Sequence, residues 1–122
     1  MDPRDADLAL KTHVELVRYA LPFGAGREWP AVRERAEAVT GSARGPLLAA
    51  DAEVIDMAVS GADLWPALLV DDPARPLKHW WWHLGAIHDR TYPADLLPEP
   101  LRSVYRDALS TASRVRSMGG HA

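Results

Sequence analysis

Cysteine is absent from the chain, which excludes a disulfide framework, a thiolate zinc site and a thiol nucleophile. No apolar run approaches the roughly 20 residues that cross a bilayer. The opening Met1-Asp2-Pro3-Arg4-Asp5 is acidic where an export signal is basic and then apolar. A soluble, cytoplasmic chain is therefore expected. There is no repeat of solenoid length, no low-complexity tract and no linker that would divide two domains. A phosphate-cradling loop, a dinucleotide fingerprint and a nucleophile elbow are also missing, so neither nucleotide chemistry nor hydrolysis of the elbow type has support. Phenylalanine occurs once and lysine twice, beside five tryptophans and twelve arginines.

What is present is an ordinary globular balance. The 122 residues carry 25% charged and 48% hydrophobic side chains and a formal net charge of −3. That length buries enough apolar surface for one core without a staple. The periodicity predicts an all-α fold, a compact bundle of four or five helices with short Pro/Gly loops. Residues 1–118 should form one helical domain and residues 119–122 a frayed tail.

Leu10, Val14, Val17 and Leu21 recur at helical spacing over residues 5–21, closed by Pro22 and Gly24-Ala25-Gly26. Trp29, Val32, Ala36 and Val39 mark a second, weaker helix with Pro30 in its first turn, and Arg33, Glu34, Arg35 and Glu37 are expected on its solvent side. Leu47, Val54, Ile55 and Ala58 mark a third, ended by Gly61. The apolar run 63–70 reads as helix or turn, because a lone strand would lack a partner. Asp71-Asp72-Pro73 has the form of a helix start, which predicts a fourth helix to about Thr91. Leu101, Val104, Tyr105, Ala108, Ala112 and Val115 predict a fifth.

The most informative stretch is His79-Trp80-Trp81-Trp82-His83. At about 100° per residue, three consecutive indoles on an α-helix span about 200° and cannot share one core. The expected buried arc holds Ile87, Trp80, Leu84, Leu77, His88 and Trp81. Trp82 falls instead among Lys78, His79, His83, Ala86, Asp89 and Arg90, where it either packs under another segment, anchors a partner or lines a ligand pocket.

His79 and His83, four residues apart, have the spacing by which one helix offers two imidazoles to a metal, with Asp51, His13 or Asp63 as a third ligand. Trp80 occupies the place of the glutamate that a zincin base requires. His88 is expected to bond a backbone carbonyl or a carboxylate. Asp51, inside the third apolar stripe, requires an Arg or His from another helix. In residues 101–122, Arg102, Arg106, Arg114 and Arg116 face only Asp107, a basic helix surface that would suit nucleic acid. Membrane-surface binding is not expected, because the Trp-bearing segment mixes Lys78 and Arg90 with Asp89.

These readings predict a non-catalytic protein-interaction module of antitoxin, immunity, adaptor or regulatory-subunit type, with no cofactor. Its partner would be another protein or itself as a homodimer, bound through Trp82, His79, His83, Ala86, Arg90 and Lys78. The alternatives are a metal-binding protein or metalloenzyme using His79 and His83, and a nucleic-acid binder using Arg102 and Arg106.

Overall fold

The computed structural model describes residues 3–23, 25–60 and 71–119, apart from the side chains of residues 3, 60 and 111–119. The expectation for the run 63–70, Asp63 included, falls outside the described residues, as do the side chains of Ala112, Arg114, Val115 and Arg116 and the tail beyond Gly119.

Five α-helices and no strand are found among the described residues: α1 (Pro3–Tyr19), α2 (Trp29–Ala36), α3 (Arg44–Ser60), the short α4 (Leu84–His88) and α5 (Glu99–Gly119). None of them is long and apolar enough to cross a membrane. α3 is the central element, packing on α1, α4 and α5, while α1 also packs along α2. Its sequence explains that position, since Leu47, Ala50, Val54, Ile55, Ala58 and Val59 are all buried and point to more than one neighbour. The larger core joins these α3 residues to Trp29, Trp80, Trp81, Leu84, Ile87, Tyr92, Leu101 and Tyr105. A smaller cluster of Ala6, Ala9, Ala36, Val39 and Leu47 seals the other end of α1 and α2.

On α1 the deepest line is Ala6, Ala9, His13 and Val17; of the expected stripe Val17 and Leu21 are buried, whereas Leu10 and Val14 are only half-buried. The two alanines let α1 lie close to α2, and His13 is drawn inward by a polar partner on α3. Arg33 likewise corrects the expected solvent face of α2. It is 1% exposed, four residues from Trp29 and three from Ala36, on the same buried side as both.

The expected fourth helix over 71–91 does not form as one piece. Asp72 starts only a turn, in which its carboxylate accepts from Ala74 N–H at 3.0 Å and its carbonyl from Arg75 N–H at 3.1 Å. Pro76 is the cause. A helix capped at Asp72 takes its first backbone bond from the amide of residue 76, and proline has none. The chain runs irregularly to a 3-10 turn at Trp80–Trp82, and α4 begins only at Leu84. Asp71 then serves α4 from outside, its carboxylate accepting from Ala86 N–H at 3.0 Å. α4 ends in a paired closure, Arg90 N–H to Ile87 carbonyl and Thr91 N–H to Ala86 carbonyl, with Arg90 at φ 65° in the left-handed region.

Candidate functional site

The polar interior begins at Asp51, 0% exposed on α3. Arg33 grips it with both arms of its fork, Nε to Oδ1 at 2.7 Å and Nη2 to Oδ2 at 2.8 Å. His13 Nε2 stands 2.9 Å from Oδ1, and Trp29 Nε1 donates to His13 Nδ1 at 2.7 Å. An indole N–H can only donate, so Nδ1 accepts and the imidazole proton sits on Nε2, directed at Asp51. The need for an Arg or His beside Asp51 is thus met by both, from two different helices. Desolvation lowers the proton affinity of Arg33, but the hydrogen bonds and charges of Asp51 and Glu37 outweigh it and raise its pKa.

Arg33 carries this network to the tryptophan turn. Its guanidinium lies 4.4 Å from the Trp81 ring centroid and 5.7 Å from that of Trp80, within cation–π range of both faces. Its remaining arm, Nη1, donates to Glu37 Oε2 at 2.8 Å, and Arg44 Nη2 reaches Glu37 Oε1 at 3.3 Å. Beside this assembly is a cleft of about 420 Å³ bounded by three stretches of chain: Arg33 of α2 with Glu37 just beyond its end, residues 78–81, and Leu96, Leu97 and Pro98 before α5. The last wall is held by Arg102, whose Nη2 donates to the carbonyls of Asp95 and Leu97.

In a 3-10 turn successive side chains diverge by about 120°. Trp80 and Trp81 are buried, whereas Trp82 is half-buried and turned toward α2. Its Nε1 donates to Glu34 Oε1 at 3.0 Å, and the Arg75 guanidinium lies 4.4 Å from its ring centroid. Trp82 therefore departs from the other two as the winding argument requires, although the winding is 3-10 and not α. The indole nitrogens of Trp80 and Trp81, both closed off from solvent, have no hydrogen-bond partner among the described residues. Each such donor costs about 1–3 kcal/mol when left unmade.

The other expected site residues are dispersed. His79 stacks on Trp81 at 4.9 Å, and its Nδ1 is 3.8 Å from Glu34 Oε1. His83 is buried, with Nε2 3.2 Å from the carbonyl of Pro76 and 3.3 Å from that of Arg75, a position that requires a proton on that nitrogen. With a 3-10 turn between them the two histidines share no helical face. No group of three His, Asp or Glu side chains is placed to hold a metal among the described residues. His88 Nδ1 bonds the Ala58 carbonyl at 2.9 Å, as its place in the arc predicts, whereas Leu77 of the same arc is 47% exposed. Arg106 Nη2 is 3.8 Å from Asp95 on the surface, so both candidate nucleic-acid arginines have acceptors within the chain.

The residue that sequence reasoning missed is Arg33. Its signal was available in the spacing 29, 32, 33 and 36, which puts an arginine on a buried stripe. Comparison with protein-family models, with curated proteins and with solved structures finds no match to this chain.

Proposed function

We propose that the protein is a non-catalytic, cytoplasmic binding module that associates with another protein, or with a second copy of itself, through the tryptophan turn. The observation that carries the reading is Trp82, a half-buried indole at the margin of the core, with Nε1 bonded to Glu34 and the Arg75 guanidinium over its ring, whereas Trp80 and Trp81 are buried. Exposed Leu77 and Lys78 precede it, so large rigid aromatic area, apolar area and charge lie in one short segment, the mixture that binding hot spots favour. A non-catalytic role is supported by the His13–Asp51 pair. Both side chains are 0% exposed and the second imidazole nitrogen is occupied by Trp29, so this pair is closed to a substrate and serves the interior of the fold.

Two substitutions divide surface from core. Trp82→Ala should weaken association by about 2 kcal/mol or more, read by light scattering over a concentration series or by affinity for a purified partner. Trp80→Ala should instead lower folding stability by about 3–5 kcal/mol. Equal loss of stability in the two variants, with association unchanged, overturns the reading.

A further inference from the structure

α1 and α2 pack along each other and frame a groove of about 290 Å³, lined by Asp5, Leu8, Ala9 and Thr12 of α1 and by Arg35 of α2. Asp5, Leu8 and Thr12, spaced by three and four, form one stripe along α1. Ala9 is buried beneath it, and the Thr12 hydroxyl is already used, donating to the Leu8 carbonyl at 3.1 Å. Leu8 is 63% exposed. Asp5 and Arg35 are exposed as well, and although they line the same groove neither side chain has an ionic or hydrogen-bonded partner among the described residues. One face of the molecule therefore presents a free negative charge, a free positive charge and an uncovered leucine.

Such a face is its own complement. A two-fold axis over the groove sets Asp5 of one chain against Arg35 of the other, and the same operation sets Arg35 of the first against Asp5 of the second. Both Leu8 side chains then enter one interface, where their burial adds an apolar contribution while the charge pairs fix the orientation. A foreign partner would have to carry both charges at a matching separation. A second copy does so by symmetry.

We propose that this α1–α2 face is a two-fold interface between copies of this chain, held by reciprocal Asp5–Arg35 pairs around Leu8. It uses none of residues 75–82, so it assigns self-association to this face and leaves the tryptophan turn to a different protein.

The test is sedimentation equilibrium of the full chain and its variants over a concentration series reaching about 1 mM, where even a weak dimer is populated. The unmodified chain should form dimers and nothing larger, because a two-fold interface closes on itself. Asp5→Arg and Arg35→Asp should each raise the dimer dissociation constant at least about tenfold, since each places like charges opposite one another at both contacts. An equimolar mixture of these two variants should associate again, because the mixed dimer faces Arg with Asp at both contacts. Leu8→Ser should weaken the dimer too. All three positions are exposed, and circular dichroism checks that each variant is folded. Should Asp5→Arg not fold, Asp5→Asn removes the charge alone and should weaken the dimer several-fold. A chain that stays monomeric overturns the proposal, as do folded variants of Asp5, Leu8 or Arg35 that associate like the unmodified chain, or a mixture that stays monomeric. Dimers that vanish in Trp82→Ala overturn it as well, by moving self-association to the tryptophan turn, whereas unaltered affinity of Trp82→Ala for a purified partner counts against the tryptophan-turn reading alone.

Discussion

At the scale of single residues, the interior of this protein is organised by Asp51 and what it holds. A buried carboxylate is tolerable only while its charge is matched, and the Arg33 fork does so with two short hydrogen bonds while His13 supplies another. Asp51→Asn should therefore lower stability by about 3–5 kcal/mol, because the Arg33 charge stays buried with only Glu37 to face it. Trp29→Phe preserves the aromatic packing and removes one N–H. It should cost a smaller amount, about 1–3 kcal/mol, by leaving His13 Nδ1 without its donor. Urea unfolding checks both, with a shifted midpoint at unchanged slope as the expected form. That Asp51 needs a cationic or imidazole partner is legible from its place in an apolar stripe. That His13 and Arg33 would both supply it is not, because they lie 38 and 18 residues away.

At the scale of elements, proline and glycine decide where helices begin and stop. α1 gives way to a 3-10 turn at Leu21–Phe23, and Gly26, at φ +96°, turns the chain so that Trp29 N–H closes onto the Gly26 carbonyl at 2.9 Å. A Cβ at that position would meet Leu21 Cδ2 at 3.0 Å in a conformation that L-residues avoid. Gly26→Ala should thus destabilise by about 1–2 kcal/mol, measured by thermal unfolding. The break between Asp72 and Leu84 follows the same kind of rule. A cap signal and a proline in the first turn resemble a helix start, but Pro76 falls where the first backbone donor is needed. The tryptophans consequently sit on a 3-10 turn, and His79 and His83 are separated by it, although their spacing of four suggests a shared face.

At the scale of the whole molecule, two phenols tie the irregular segment to the bundle. Tyr92 donates to the Leu77 carbonyl at 2.6 Å, and Tyr105 on α5 donates to the Tyr92 carbonyl at 3.1 Å. Burial, and for Tyr92 also the neighbouring Tyr105, raises both phenol pKa values. A phenol whose folded pKa lies above its unfolded value of about 10 stabilises the fold in its protonated form. That contribution is complete below about pH 10 and is lost as pH rises above it toward the folded values. The urea midpoint should accordingly fall with increasing alkalinity, and Tyr92→Phe should flatten that fall. An equally steep decline in the variant would remove Tyr92 as its source.

Taken alone, the amino-acid order determined the class of fold and most of its helices, because helical periodicity and Pro/Gly punctuation act over a few residues at a time. It also determined that three adjacent indoles must diverge and that Asp51 must be matched. Only the tertiary structure decided where each departing group goes. Trp82 meets Glu34 across 48 residues, Arg33 turns inward to Asp51, and the cleft takes its walls from three separate stretches of chain. Such pairings depend on how whole elements pack, a long-range property that no local spacing encodes.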